Sequence, residues 1–486
     1  MGSPSLLLIL SRACYFSALT LLLPMAVGLS YGESAWTYYG RIAAAALLTG
    51  LLLQFIGGKR RLADRKITRR EGFLGVVLAW LVMIFFGSLP FFLSGSIPAF
   101  TDAVFESTSG FSTTGATILT NIEAMPYAHL FQRALAQWVG GMGIIVLSVA
   151  VLPELAVGGM QLFAAESTGI TTDKLSPRIV STARRLWRLY IVLTIVLAVL
   201  LMGFGMSLFD AVTHSFTTIA TAGFSTRNAS IGAFNSVAIE MVTTFFMLLS
   251  GISFALLYRA LVRREAKPLL ESAEVRTYIG IYVFFTAMVT VNLVQFGSYP
   301  TWLAAIRAAT FQTAAIITTT GFVIADFDVW PDFSRFLLVL LMFIGGCAGS
   351  TAGGVKVVRV LIVIKNAMLE LKRLLHPNLV QSVTIAQRVV TTSAMQGILG
   401  FFLLYITTTA VATMGVLATG VDLITGVTAV ISAMSSIGPG LHLVGPVESY
   451  AHLPTSCKWI LSACMIVGRL EIYTVLVLFT RAFWKN

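Results

Sequence analysis

Four short loops along the 486-residue chain repeat one pattern of a hydroxyl residue, one spacer and a glycine. They are Thr113-Thr114-Gly115, Thr221-Ala222-Gly223, Thr319-Thr320-Gly321 and Ser436-Ile437-Gly438. Their glycines lie 108, 98 and 117 residues apart, and each loop falls between two apolar segments. Repetition on that scale means that one unit has been used four times. Polar loops at membrane depth are tolerated only where protein or a water-filled path encloses them. A ring of such loops is how a cation filter is built.

Composition supports a lipid solvent. Only 11% of residues are charged and 57% are hydrophobic, against about 25% charged in a soluble domain, and the mean hydropathy is +0.87. Residues 73–93, 189–209, 278–296 and 459–481 are nearly free of charge, and about 20 such residues suffice to span a bilayer. The chain reads as about ten spans plus four shorter apolar stretches, each leading into a glycine loop. The first apolar run is followed at once by a second, which predicts a transmembrane hairpin rather than a cleaved leader.

The net charge of +12 is explained by its distribution. Residues 57–71 hold Lys59, Arg60, Arg61, Arg65, Lys66, Arg69 and Arg70, and further basic clusters occupy 174–188, 259–276 and 356–373. These fall on every second connection, while the others carry Glu33, Asp102, Glu123, Asp326, Asp328, Asp332 and Glu448. That asymmetry places both termini in the cytoplasm. The basic clusters suit water and lipid headgroups, with a minority free to dock a cytoplasmic partner, and no nucleic-acid role is needed. Cys14, Cys347, Cys457 and Cys464 form no metal-ligand spacing, and the five histidines form none either, so enzymatic metal chemistry has no support.

The expected fold is an all-α integral membrane protein with four span–pore-helix–span repeats around a central pore. Residues 1–71 form the N-terminal transmembrane hairpin and its basic cytoplasmic loop, and the repeats cover 72–156, 182–264, 276–373 and 388–486. Repeats one and two align without gaps, Asp102-Ala103-Val104 with Asp210-Ala211-Val212, then Ser107 with Ser215 and Thr113 with Thr221. Both aspartates precede their glycine by 13 residues, near a helix N-terminus, so capping explains them first and ion binding second. Four converging half-helix C-termini, each worth about −0.5 charge, would offer roughly −2 to a cation. Glycine in each loop permits the φ > 0 needed to aim carbonyls at an ion, and the hydroxyl can fix the loop or ligate.

The loops Ser112-Thr113-Thr114-Gly115-Ala116-Thr117, Thr221-Ala222-Gly223-Phe224-Ser225, Thr319-Thr320-Gly321-Phe322 and Ser435-Ser436-Ile437-Gly438-Pro439-Gly440 resemble the filters of the Trk/Ktr/HKT superfamily of potassium transporters. The resemblance covers essentially the whole chain, and the extra hairpin is similar to the bacterial Trk membrane subunits rather than the shorter Ktr type. It implies a homodimeric subunit of the bacterial cytoplasmic (inner) membrane, with K+ as its bound substrate ion and no cofactor in this chain. It further implies a cytosolic RCK-type regulatory subunit that binds NAD(H), ATP and ADP. Sodium-preferring relatives carry serine at the first filter glycine, whereas this chain has Gly115.

A second motif, Gly345-Gly346-Cys347-Ala348-Gly349-Ser350-Thr351-Ala352-Gly353-Gly354-Val355-Lys356, interrupts an apolar run in repeat three. It is no phosphate loop, because Val355 separates Gly354 from Lys356 and Val357 follows. A glycine-rich break in a span marks a hinge or a loop lining a path, or a kink for packing. The resemblance makes it the intramembrane gate below the filter. Arg469 falls midway along the last apolar run, where an arginine costs at least about 2.5–3.5 kcal/mol at the bilayer centre. Glu471, about 200° away on a continuous helix, would not be its partner. The resemblance places such an arginine in the pore. Lys458 and Arg481 are expected at span ends, snorkelling.

Two transport classes compete. One is a gated potassium uptake pathway, channel-like or ion-coupled; the other is an ion-coupled carrier of a small organic solute. Carriers usually show inverted repeats and intramembrane carboxylates. Here the repeats are parallel and fourfold, and no run of mid-span acids is evident.

Overall fold

The computed structural model describes residues 4–58, 68–146, 176–385 and 388–485. Lys59, Arg60, Arg61, Arg65, Lys66 and Lys174 lie outside the described residues, as does the end assigned to repeat one, 147–156.

The chain opens with two antiparallel helices, Pro4–Ser30 and Trp36–Gly57. Their connecting turn has a structural task. The Glu33 carboxylate accepts the free N–H groups of Tyr127 (2.6 Å) and Ala128 (3.0 Å), capping the helix Tyr127–Val146. Tyr31 stacks on Tyr127 with ring centroids 4.2 Å apart, and the Tyr39 hydroxyl donates to Gln132 Oε1 at 2.6 Å. The hairpin thus fixes the second span of repeat one.

Each repeat contributes a long helix, a short pore helix and a second helix. The long helices are Arg69–Leu93, Ser176–Gly203, Ala273–Gln295 and Thr392–Leu417. Their starts are written locally: Thr68 and Glu71 form a capping box, while Ser272 and Thr391 accept the N–H three residues on. The pore helices are Phe100–Phe111, Leu208–Ile219, Trp302–Ile317 and Leu423–Ser435, of 12, 12, 16 and 13 residues. At 1.5 Å per residue none reaches across a hydrocarbon core of about 30 Å. The second helices are Tyr127–Val146, Val237–Ser250, Asp332–Met342 and Thr455–Arg469. Six helices among the described residues are long and apolar enough to span by themselves. In the connection from repeat three to four, Thr384–Ile385 and Arg388–Val389 pair as a two-stranded ladder.

Three expectations require correction. The last apolar run, 459–481, is not one helix: Thr455–Arg469 and Ile472–Phe479 meet at 114°. The break falls at Glu471, whose φ of 61° no helix accommodates, so Arg469 ends a half-span instead of sitting mid-helix. Similarly, the run 189–209 crosses a turn at Gly205, φ 102°, and the pore helix begins at Leu208. Lys458 does not snorkel. It is buried, and its ammonium lies 2.7 Å from Asp102 Oδ1 on the first pore helix while also donating to Ala451 O. Asp102 therefore does more than favour a helix terminus, and Asp210 likewise pairs with Arg227 at 2.9 Å.

Removing Asp102 strands a buried ammonium, a change that costs about 3 kcal/mol in a fully buried pair and less here, where Asp102 is a quarter exposed. Asp102→Ala should therefore lower the thermal midpoint of the purified protein, and Asp102→Ala with Lys458→Met should recover most of the loss. Fluorescence-detected melting in detergent provides the comparison.

Candidate functional site

The four glycine loops have one backbone. In each, the hydroxyl residue follows the pore helix in left-handed conformation, with φ of 57° at Thr113, 51° at Thr221, 57° at Thr319 and 58° at Ser436. The next N–H then bonds back five residues: Thr114 to Ser109 O (2.9 Å), Ala222 to Thr217 O (2.9 Å), Thr320 to Ala315 O (2.8 Å) and Ile437 to Ser432 O (3.0 Å). This is the Schellman termination of a helix, made here with β-branched threonine in three loops and serine in the fourth, at a position that normally holds glycine. Left-handed backbone costs an L-residue roughly 1–2 kcal/mol, so the hydroxyl residues carry strain that the sequence pattern alone did not reveal.

The glycines then close a ring. Each is left-handed, with φ of 82°, 81°, 73° and 105° at Gly115, Gly223, Gly321 and Gly438. A Cβ on Gly115 would overlap the carbonyl oxygen of Ala222, one on Gly223 that of Thr320, and one on Gly321 that of Ile437. On Gly438 it would come within 2.8 Å of Thr114 O. Every loop thus abuts the next in the order one, two, three, four and back to one. All twelve residues Thr113–Gly115, Thr221–Gly223, Thr319–Gly321 and Ser436–Gly438 are brought together around one axis. On one side the ring floors a cavity of about 290 Å³ lined also by Glu448 and Arg227.

Side chains that sequence reasoning passed over hold the strand leaving each loop. Glu106 accepts from Ile118 N–H at 2.9 Å, His214 Nε2 meets Ser225 Oγ at 2.8 Å, Gln312 Oε1 accepts from Ile324 N–H at 3.2 Å, and Thr428 Oγ1 accepts from Leu441 N–H at 3.0 Å. The first three stand nine residues before their glycine and the fourth ten, a register that the alignment of repeats could have exposed. Glu106 is buried and neutralised by Arg133 at 2.7 Å, whose guanidinium also donates to Ser225 O and lies 4.1 Å over the Phe224 ring. One buried ion pair therefore joins loops one and two.

Beneath the ring lies the glycine-rich segment of repeat three. Its stem is closed by Gly345 N–H to Val355 O, 2.9 Å, with Gly354 left-handed. Its tip docks on repeat two, where the second helix is bent by 105° between Ser250 and Phe254. There Cys347 N–H donates to Gly251 O (2.8 Å), and Gly349 O accepts from Phe254 N–H (3.0 Å). Gly346 meets the same Gly251 carbonyl, 2.7 Å from where its Cβ would stand. Thr351 Oγ1 donates to Ile219 O at the end of the second pore helix, and Gly353 N–H donates to Thr319 Oγ1 at 2.7 Å. A Cβ on Gly353 would overlap Ser435 O. The loop is thus seated against the inner ends of three pore helices. Ser350 does not reach them, since its hydroxyl turns back to Cys347 O.

Arg469 completes this floor. It is 2% exposed and donates to Thr351 O at 2.9 Å and to Gly140 O at 3.0 Å, bridging the loop to repeat one. Glu471 instead faces Arg359 at 2.7 Å, and Arg359 sits 4.0 Å over the Phe401 ring. Lys356 is buried and folds back on Ala352 O. Among the described residues the buried acids are Glu106, Asp210, Glu240, Glu274 and Glu471, scattered rather than in a run. Glu240 is taken up by Arg307 and Glu274 by Ala348 N–H at 2.6 Å. No group of three or more potential metal ligands of the His/Cys/Asp/Glu kind occurs among the described residues. The polar groups available to an ion at the ring are carbonyls and hydroxyls, of which Thr113 Oγ1 and Ser436 Oγ are buried without a partner, the donor set of an alkali cation.

Comparison with known proteins bears on the same region. A family model described as TrkH, cation transport protein, matches residues 42–485. The chain is similar to the Trk system potassium uptake protein TrkH of Halomonas elongata, 41% identical over 483 residues and 99% of both chains. It is 42% identical to TrkH of Escherichia coli K12 and 34% identical to TrkG of the same strain, each over 96% of both chains. Its structure superposes on the crystal structure of the potassium transporter TrkH from Vibrio parahaemolyticus with a TM-score of 0.92, 38% identity and full coverage of both chains.

The brace under loop three is the simplest to remove. Gln312→Ala leaves the Ile324 N–H without its acceptor, at a cost of about 1–3 kcal/mol. Amide exchange at residues 321–324, followed by mass spectrometry, should accelerate about tenfold relative to the parent while exchange in the N-terminal hairpin stays unchanged.

Proposed function

The chain belongs to the TrkH family of cation transport proteins, and from that membership we propose that it takes up potassium ions across the cytoplasmic membrane through the ring of Thr113–Gly115, Thr221–Gly223, Thr319–Gly321 and Ser436–Gly438. The observation that carries the reading is the mutual contact of each glycine with the neighbouring loop's carbonyl. Four loops closed on one axis present carbonyl and hydroxyl oxygens to a bare cation, and the four pore helices add the negative ends of their dipoles. An organic solute finds no support in the names of the relatives, all of which concern potassium uptake or transport.

The segment 345–354 and Arg469 act as the gate. The loop fills the space under the ring, and the arginine beside it opposes a cation by Coulomb repulsion. The amphipathic helix Val357–Leu375 begins where the loop ends, and presents Met368, Leu371 and Leu375 outward together with Lys372 and Arg373. A homodimer with a cytosolic RCK-type subunit sensing NAD(H), ATP or ADP suits this arrangement, because whatever holds that helix bears on the loop. Differential contact with the closed and open arrangements is all such control requires. The termini are cytoplasmic on this reading.

Three results test it. Gly115→Ser places a Cβ against Ala222 O and should raise sodium relative to potassium permeation; an unchanged preference after serine replacement at all four glycines removes the filter assignment. Deleting part of residues 346–353, or Arg469→Ala, should raise cation flux in proteoliposomes lacking any partner; parental basal flux in both folded variants leaves the loop a packing role alone. Flux through chain purified with its native cytosolic partner should change on adding nucleotide, whereas insensitivity of every such preparation counts against the regulatory subunit.

A further inference from the structure

The four loops share a backbone but are tethered in two ways, and the difference runs along the diagonals of the ring. Loops one and three each carry a hydroxyl pair that straddles the strained residue. Ser112 Oγ lies 2.8 Å from Thr114 Oγ1, and Thr318 Oγ1 lies 2.7 Å from Thr320 Oγ1. Loops two and four cannot form that pair, because the second position is Ala222 in one and Ile437 in the other. Each is instead gripped from outside at a backbone carbonyl. Gln137 Nε2 donates to Ala222 O at 2.6 Å while its Oε1 accepts from Phe224 N–H at 3.0 Å. The Tyr450 hydroxyl donates to Gly438 O at 2.7 Å. Both side chains are buried, at 0% and 3% exposure, and neither belongs to the loop it holds: Gln137 comes from repeat one and Tyr450 from the turn after loop four.

We propose that Gln137 and Tyr450 are specificity-determining positioning residues, which replace the missing hydroxyl pairs on one diagonal and hold its carbonyls at the separation a potassium ion requires. The inference rests on the filter reading above. A carbonyl oxygen has two acceptor sites, so a donor behind it leaves the other for the ion while limiting how far the oxygen moves inward. Discrimination against a smaller cation depends on the spacing and field of the coordinating oxygens. With its tether cut, a loop of diagonal two–four closes further around sodium, whereas loops one and three stay braced by their own hydroxyls. Ala222 O is also the atom that Gly115 abuts, so the Gln137 tether fixes the contact between loops one and two.

The test uses the full chain in liposomes, with the permeability ratio of potassium to sodium read from reversal potentials under bi-ionic conditions. Tyr450→Phe keeps the ring packed near Phe105, 5.5 Å away, and removes only the donor. Gln137→Met removes the amide at similar length, and Gln137→Glu, which retains an acceptor for Phe224 N–H, replaces it where Gln137→Met fails to assemble. Each should lower the ratio about three- to tenfold, the scale of one buried hydrogen bond, with potassium still conducted. Ser334→Ala breaks a buried bond of 2.7 Å to Asn292 away from the ring and should leave the ratio unchanged. If Gly115→Ser shifts the ratio while the Tyr450 and Gln137 variants keep the parental value, the filter reading stands and the tethers are overturned. A fall in flux at an unchanged ratio overturns them equally, and if Gly115→Ser also leaves the ratio unchanged, both readings fail.

Discussion

Everything in this molecule is arranged so that four backbone turns can touch without side chains between them. The contact of each loop glycine with the next loop's carbonyl is closer than any residue with a Cβ allows, and it recurs around a complete circuit. Pore helices too short to span, the helix C-termini aimed inward and the strands braced by Glu106, His214, Gln312 and Thr428 all serve that approach. The N-terminal hairpin serves it at one remove, since Glu33 and Tyr39 fix the helix carrying Arg133 and Gln137.

A different physics governs the space beneath. Taking a charge out of water costs several kcal/mol unless it is paired and hydrogen-bonded, yet Lys356, Arg359 and Arg469 are all buried there. Arg359 has Glu471 and an aromatic face. Arg469 has only carbonyl oxygens, Thr351 O and Gly140 O, with its Nε unpartnered. The arginine that bridges the loop to repeat one thus keeps its charge on carbonyl oxygens alone, as Lys356 does on Ala352 O. Such a group is held by the loop and in turn holds it.

Much of this was legible in spacing. The three-residue signature, four times repeated, located the ring, because glycine at φ > 0 is a backbone requirement that sequence records directly, and the glycine-rich break in repeat three marked the loop beneath. The hidden parts fail for identifiable reasons. Hydropathy averages over a window, so the bends after Ser250 and at Glu471 vanish inside apolar runs. Lys458 reads as a span-end lysine because its partner, Asp102, is 356 residues away. The four braces share a position but not a chemistry, being a carboxylate, an imidazole, an amide and a hydroxyl, and a search for repeated residue types passes over them.

Among the described residues nine non-glycines have left-handed backbone, and four of these are the hydroxyl residues of the ring. Conformational strain gathered at one place needs something to sustain it. Neighbouring protein supplies part, through the donors Gln137 and Tyr450 on two of the carbonyls, and positive charge among the ring's carbonyl oxygens supplies the rest. On the proposed reading the transported ion is therefore also a structural ligand, and whatever binds the folded state alone stabilises it in proportion to the logarithm of its concentration. The resistance of this protein to unfolding then becomes a gauge of the ions around it: a medium poor in potassium weakens the very ring that would capture the few ions left.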